Sequence, residues 1–347
     1  MTLAPFAPGA FTNRRSADHF VQMRNQGSDL ERQLSTGRRA ESYAGLGVKR
    51  GPALDMRARL NGLESFQSNI KDANLRMSML MQSVEGLDKV SARTRSMLVA
   101  PASNVFGGGV PQEQIMAQGD LKLAIDMLNA DINGRHLFSG REHDARPVVG
   151  YETMMEDLRA AVNAVAPDPA DPDQWALDIV AAVNTFFDTA TNWYSGDDPD
   201  LDGDPRSTST VQIDQGRSAA MGAQANEPAF TQLLKQLAAV AVADFPPGSG
   251  DHVNALTREI RTSMPLDPPE SPTISQIGIE LGAAQVQMKT ADEQHKATGA
   301  MLRDQLGDIE DARTEEVAAK LLTLQTRLQA SYQTTSMLSR LSLVNFL

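Results

Sequence analysis

Apolar and small side chains recur at alternating steps of three and four residues through residues 274–347 of this chain. Such spacing places them along one side of an α-helix, and an apolar seam at heptad spacing is stable only when other helices cover it. A helix of that length would extend about 110 Å if it were unbroken, which is more than a compact domain can cover. The chain is therefore predicted to be an elongated piece of an assembly. The seam contains Ile277, Leu281, Ala284, Met288, Ala291, His295, Thr298, Leu302, Val317, Leu321, Leu324, Leu328 and Leu338.

The N-terminal part of the chain carries the same periodicity. A first helix is predicted to end near residues 35–37, a second has its apolar side chains between Leu63 and Leu87, and a third covers residues 112–133. Each end exposes a seam that it cannot bury alone, so the two ends are predicted to pair in space. The first helix has one apolar face, made by Phe20, Met23, Gly27, Leu30 and Leu34.

The middle of the chain, residues 141–270, is rich in Pro, Asp and Gly. Helices are predicted there near residues 151–165, 173–193, 227–243 and 251–263, with a short strand at 211–213 and a hairpin within 137–150. Ser271 is predicted to cap the long C-terminal helix with Pro272 in its first turn, and Gly307 to mark a bend.

These patterns predict a mostly α fold, in which the N- and C-terminal segments form an elongated coiled-coil bundle and the middle forms a small α+β insert. The predicted domains are 1–140, with 1–16 disordered in an isolated subunit, then the solvent-facing insert 141–270, then 271–347. Aromatic residues are only 5% of the chain, so aliphatic side chains must supply the core.

The chain has no cysteine, which excludes disulfides, zinc–thiolate sites and thiol nucleophiles. It has no apolar run of about 18 residues, so no membrane contact is predicted. Residues 1–10 lack a basic stretch followed by an apolar one, so no cleaved secretory signal is expected and any export must use another route.

The net charge of −12 is unevenly distributed. Residues 14–59 hold ten basic and five acidic side chains, whereas residues 141–270 hold eight basic and 22 acidic ones. The acidic middle segment repels nucleic acid and is well solvated, and the basic charges near the N-terminus are scattered along a helical pattern. No nucleic-acid partner is predicted.

Catalytic and metal sites find little support in the sequence. The five histidines are scattered, and no helical pair of His with Glu is present. Asp198, Asp200, Asp202 and Gly203 match the first half of a calcium loop, but the position that needs a bidentate Glu is Ser209. A solvated acidic turn is the favoured interpretation, with a weak calcium site as the alternative, and no cofactor or metal is predicted.

Several short motifs near the two ends are similar to those of the flagellin family, and the chain is identified as a member of it by this resemblance. The likeness covers residues 1–140 and 205–347, and it is greatest to the family branch that joins the flagellar hook to the filament. The motifs are Leu34-Ser35-Thr36-Gly37-Arg38, Leu137-Phe138-Ser139-Gly140, residues 211–226, Ile309-Glu310-Asp311-Ala312, Leu328-Gln329-Ala330-Ser331-Tyr332 and the closing residues 341–347.

The resemblance implies a structural, non-enzymatic protein of the bacterial flagellum. It implies a ring of identical subunits at the hook–filament junction, with a hook-associated protein on the hook side and flagellin on the filament side. It also implies secretion by the flagellar type III pathway, without a cleaved signal, and an export chaperone. The residues expected to form the inter-subunit interface are Phe20, Met23, Leu30, Leu34, Val317, Leu321, Leu324, Leu328 and Leu338.

Three alternatives stay open at this point. The chain could be a filament-forming flagellin, which would polymerise alone. A type III translocator would also be helical, but it needs an apolar membrane-inserting hairpin that this sequence lacks. An enzyme would need converging polar residues, for which the segment 141–270 offers the most room.

Overall fold

The computed structural model describes residues 8–100, 110–140, 142–166, 168–195, 209–246, 250–265 and 271–344, with side chains from Asp18 to Met337. Within them the chain is predominantly helical and has two small antiparallel hairpins, so the predicted mostly α fold is confirmed. The α-helices are α1 (Pro8–Thr36), α2 (Arg50–Val99), α3 (Gln112–Leu128), α4 (Tyr151–Val165), α5 (Pro172–Asp188), α6 (Pro228–Val242), α7 (Gly250–Ser263), α8 (Ile274–Glu310) and α9 (Thr314–Val344). The strands are β1 (Asp131–Ile132), β2 (Arg135–His136), β3 (Thr210–Asp214) and β4 (Arg217–Ala220), and short 3-10 helices cover Tyr43–Lys49 and Ala190–Asn192.

The chain divides into two compact units. Unit 1 contains residues 1–64 and 295–347, and unit 2 contains residues 65–294. The domain boundaries predicted at residues 140 and 270 stay predictions. No helix in the described ranges is both long and apolar enough to cross a membrane.

The core of unit 2 begins with the predicted apolar stripe of α2. Ile70, Met77 and Leu87 are at most 1% exposed, and they recur at helical spacing on the face of α2 that packs inward. The first half of α8 buries Ile277 and Met288 in the same cluster. These helices are joined there by α3 to α7, so one continuous core serves unit 2.

Helix α6 lies at the centre of this core and packs against α3, α4, α5 and α7. Nearly all of its residues are buried, as expected for a helix that is apolar on every side. The carbonyl groups at the C-terminal end of α6 have no partner within the helix, and α3 supplies the donors. Gln114 donates to the carbonyl oxygens of Ala241 and Ala243, and Gln118 donates to that of Ala241. The buried ammonium group of Lys235 pairs with Asp188, 2.8 Å away.

The four helices predicted in the middle segment are confirmed, but two boundaries near it were wrong. The third helix ends at Leu128, not at residue 133, and the hairpin spans 131–136 and not 137–150. The reason is the Asn133-Gly134 dipeptide, whose φ angles of 54° and 78° form the two-residue turn that antiparallel strands prefer. This turn competes successfully with continuation of the helix.

The C-terminal helix also differs from the prediction at its start and at its break. Thr273, not Ser271, caps α8, since Thr273 and Gln276 each accept a hydrogen bond from the other's backbone N–H, at 3.2 and 2.8 Å. Gly307 stays helical, and the chain leaves the helix at residues 311–313 before α9 begins. The last segment is therefore two helices.

Phe138 gives a test of the core of unit 2. Its ring is fully buried and meets the ring of Phe230 edge-on, with centroids 5.7 Å apart. We expect Phe138→Ala to lower the free energy of unfolding by about 3–5 kcal/mol, because a cavity replaces the ring. Urea denaturation followed by tryptophan fluorescence measures this, since both tryptophans, Trp175 and Trp193, are buried in unit 2.

The matched control is Leu75→Ala on α2. Leu75 is 60% exposed, so we expect a change within about 0.5 kcal/mol. Similar losses from both variants would contradict the assignment of Phe138 to the core.

Candidate assembly surface

Helices α1 and α9 pack against each other in unit 1 and run in opposite directions. The ring of Phe20 stacks on that of Tyr332, with centroids 5.2 Å apart and planes 21° from parallel. Further along α1, Gly27 faces Leu324, whose Cδ2 atom would lie 3.6 Å from a Cβ added at the glycine. At the end of α1, the carbonyl oxygen of Gly37 accepts a hydrogen bond from the backbone of Ala312. The predicted pairing of the two ends is therefore present within one chain.

The predicted interface residues lie at different depths in this pair. Met23, Val317 and Leu324 are 5–7% exposed and form its centre. Leu34 is 42% exposed, and the side chain of Leu338 lies outside the described residues. The half-buried members of the set are Phe20, Leu30, Leu321 and Leu328. Contact of any of them with a neighbouring subunit stays a prediction.

The pair also leaves apolar side chains in water. Leu322, Tyr332 and Met337 on α9 are 64–65% exposed, and Val21 on α1 is 48% exposed. Single exposed apolar residues are common on protein surfaces, but these four all lie on the paired helices α1 and α9.

A groove of about 490 Å³ lies between the two helices. Leu30 and Leu324 form apolar parts of its lining, and Lys320 and Arg327 are among its charged residues.

Next to this pair, the turn after α1 is held against the break between α8 and α9. The amide of Arg39 donates to the carbonyl oxygen of Glu310 at 2.7 Å, and the amide of Ala312 donates to that of Gly37 at 2.8 Å. Arg38 and Asp311 form the antiparallel bridge between these bonds. Gly37 has φ +67°, a conformation that favours glycine, and this ends α1 where the bridge begins. We call residues 37–39, 57 and 310–312 the clamp.

Arg57 from α2 adds an ion pair to the clamp. Its guanidinium donates two hydrogen bonds to the carboxylate of Glu310, one of them 2.9 Å long, and lies 5.7 Å from the centre of the Tyr43 ring. The bond to Arg57 holds the pKa of Glu310 below its ordinary value, and the same bond raises the pKa of Arg57. The charged forms of both groups are therefore favoured in the folded chain.

No group of three or more acidic or histidine side chains in the described ranges could hold a metal ion. Asp198, Asp200 and Asp202 lie outside those ranges, so the weak calcium site stays untested. His295 is buried on α8, as expected for a histidine that contributes to packing.

Comparison with known proteins decides the family. Residues 15–143 match the family model for the bacterial flagellin N-terminal helical region, and residues 272–347 match that for the C-terminal helical region. The chain belongs to the flagellin family. Family members are structural and non-enzymatic, so this chain is a structural component of the bacterial flagellum and assembles with other flagellar proteins.

Other comparisons add less. No curated protein matches the chain significantly. Among solved structures, a chain assigned as a flagellar hook-associated protein from Vibrio parahaemolyticus is 13% identical, with a TM-score of 0.47. The match covers 76% of this chain and 97% of that one.

The clamp brings together two of the motifs that carried the resemblance in the sequence. The turn at residues 34–38 and the segment Ile309-Glu310-Asp311-Ala312 lie 271 or more residues apart in the chain and are joined by backbone hydrogen bonds. Sequence reasoning did not find Arg57 or Tyr43, because neither stands in a recognisable motif. The only signal for Arg57 in the sequence was that it is a basic residue in the first turns of α2.

Glu310→Gln tests the clamp. The substitution removes the charge but not the shape, and we expect unit 1 to lose about 1 kcal/mol, because Arg57 is 41% exposed and water screens the pair. Hydrogen exchange of residues 37–57 measures this. Since the pKa of Glu310 is lowered in the folded state, its contribution is present above the pKa of the unfolded chain and is lost as the pH falls through the folded pKa.

The control is Glu85→Gln on α2. Glu85 forms an ion pair with Lys89, but both side chains are exposed and the pair lies within one helix. We expect no measurable change in exchange. Equal effects of the two substitutions on hydrogen exchange would show that the loss of a negative charge anywhere in the chain, and not the loss of the ion pair in the clamp, is responsible.

Leu324→Ala tests the centre of the α1–α9 pair. Leu324 is 7% exposed, so we expect a loss of about 2–3 kcal/mol in the stability of unit 1. The neighbouring Leu322 is 64% exposed, and Leu322→Ala should change the isolated chain by less than about 0.5 kcal/mol. Hydrogen exchange of residues 18–36 separates the two. The charged variant Leu324→Asp should also abolish filament attachment, and normal motility would contradict the assignment.

Proposed function

We propose that this protein forms the junction between the flagellar hook and the filament. In this proposal identical copies form a ring, which contacts a hook-associated protein on one side and accepts flagellin on the other. The chain is exported unfolded by the flagellar type III pathway with the help of a chaperone. The absence of cysteine suits this route, because no disulfide can form and obstruct passage through a narrow channel.

The resemblance of two segments supports the junction role over the filament role. The segments 137–140 and 211–226 resemble the junction branch more than ordinary flagellin, and they are far apart in sequence. In the structure they meet, since the amide of Ala225 donates to the carbonyl oxygen of Phe138 at 2.9 Å. All four residues of 137–140 are buried. The two segments therefore pack against each other.

The division into domains 1–140, 141–270 and 271–347 belongs to the same proposal, with the insert facing solvent. Its 22 acidic residues against eight basic ones favour a hydrated surface. The exposed apolar residues of α1 and α9, Val21, Leu322, Tyr332 and Met337, are the surface on which we expect neighbouring subunits to pack. The groove lined by Leu30 and Leu324 is the second part of that surface.

A filament-forming flagellin is the alternative, because the matching family models are those of flagellin helical regions. Gold-labelled antibody against this chain, applied to isolated flagella, separates the two. We expect label in a single band where the hook meets the filament. Label along the whole filament would show that the chain is flagellin.

Seeded polymerisation of the purified protein gives an independent answer. Short filament fragments elongate when flagellin is added, and a junction protein should bind them without elongation. Growth of filaments from this chain alone would contradict the junction role.

A further inference from the structure

The turn of the hairpin β1–β2 contains one of the two Asn-Gly dipeptides in the sequence. They are Asn61-Gly62 and Asn133-Gly134. Asparagine is a chemically labile residue, and a glycine after it leaves the most room for its side-chain amide to react with the main chain. Both asparagines are exposed, so contact with water does not distinguish them. The conformation of the backbone does distinguish them.

Asn61-Gly62 lies inside a regular helix. Because α2 runs from Arg50 to Val99, the amide of Gly62 donates to a carbonyl oxygen one helical turn earlier. Further turns on both sides hold the backbone in this conformation. The nitrogen of Gly62 therefore cannot approach the side chain of Asn61 while α2 is folded.

Asn133-Gly134 forms a tight turn on the surface. The two residues have φ angles of 54° and 78° and connect Ile132 to Arg135, which pair across the hairpin. Gly134 is exposed, and a Cβ added to it would meet no atom within 4 Å beyond its chain neighbours. Its amide donates to a side chain, since Oδ2 of Asp131 accepts the hydrogen bond at 2.9 Å.

The reaction open to this dipeptide is loss of the side-chain amide of Asn133. The nitrogen of Gly134 gives its proton to a base in the solvent and bonds to Cγ of Asn133. The bond from Cγ to the side-chain nitrogen then breaks, and this nitrogen takes up a proton and leaves as ammonia. Water opens the resulting cyclic imide at one or other carbonyl carbon, which gives aspartate or isoaspartate.

The hydrogen bond to Asp131 opposes the first step of this reaction. The nitrogen of Gly134 must lose its proton before it can attack, and the carboxylate of Asp131 holds that proton on the nitrogen. The negative charge of the carboxylate also repels the amide anion that would form. The turn thus contains both a reactive dipeptide and a group that restrains it.

We propose that Asn133 is a site of spontaneous deamidation in the folded chain, and that Asp131 slows the reaction. Isoaspartate adds a methylene group to the main chain, so the strand pairs on either side of the turn cannot keep their register. The hairpin directly precedes the buried residues 137–140, so the damage would begin beside a packed segment. The reaction needs only water and does not depend on a junction or a filament role.

A time course on the purified full-length chain tests the site. Cleavage after Lys and Arg places Asn133 in the peptide 123–135 and Asn61 in the peptide 60–71, so mass spectrometry follows the two separately. We expect aspartate and isoaspartate to accumulate at Asn133, with Asn61 unchanged. A sample digested at the start corrects for reaction during digestion.

Substitution of Asp131 tests its role. Asp131→Ala should accelerate the reaction at Asn133 about tenfold, because a hydrogen bond to a charged group is lost. Asp131→Asn keeps a neutral acceptor and should give an intermediate rate. The matched control is Asp126→Ala, which removes an exposed carboxylate from α3 in the same peptide. Its rate should stay within about twofold of that of the original chain.

Two measurements separate the hydrogen bond from other effects of Asp131→Ala. The amide of Leu137 donates to the carbonyl oxygen of Ala130 at 3.0 Å, so its unchanged hydrogen exchange would show that the hairpin stays closed. In urea, where the chain is unfolded, Asn61 and Asn133 should react at similar rates. Asp131→Ala should then have no effect on either.

Several results would overturn the proposal. Equal rates at Asn61 and Asn133 in the folded chain would mean that the turn does not select the site. An unchanged rate in Asp131→Ala, or the same acceleration in urea, would remove the role of the hydrogen bond. Faster exchange of Leu137 in Asp131→Ala would assign the acceleration to opening of the hairpin, and would remove that role as well.

Discussion

Burial of apolar side chains between the first and last long helices is the constraint on which the rest of unit 1 depends. Met23 on α1 and Val317 and Leu324 on α9 are shielded from water only because the two helices lie together. In the same unit, the first turns of α2 and the end of α8 pack against each other through Ala53, Leu60, Leu302 and Leu306. This second cluster places the start of α2 beside the end of α8. Only short connections join α1 to α2 and α8 to α9, so little loop entropy is lost when α1 and α9 meet.

Helix periodicity predicted most of the fold because the physical cause is local. The stripe on α2 and the helices of the middle segment follow from spacing alone, and the structure confirms them. The errors occurred where a short-range preference competes with periodicity. Asn133 and Gly134 form a turn that ends α3, and Thr273 caps α8 although Ser271 is also a good capping residue. Such competitions are decided by small energies that tertiary contacts readily tip.

The assembly surface could be predicted only in part, for a different reason. The apolar positions of α1 and α9 were visible as a pattern, but their depths were not: Leu34 is exposed whereas Met23 is buried. The clamp could not be predicted, because the sequence does not show which distant segments meet. Glu310 stood in a motif, but its partner Arg57 lies 253 residues away and has no signature.

The bridge within the clamp depends on main-chain atoms. Arg39 and Ala312 donate through their amides, and Gly37 and Glu310 accept through their carbonyl groups. Arg38, Arg39 and Asp311 can therefore be exchanged for other residues without loss of these bonds, whereas Gly37 cannot easily be exchanged, since its left-handed backbone is strained by any side chain. Sequence drift in relatives should accordingly be tolerated at the former positions and resisted at the glycine.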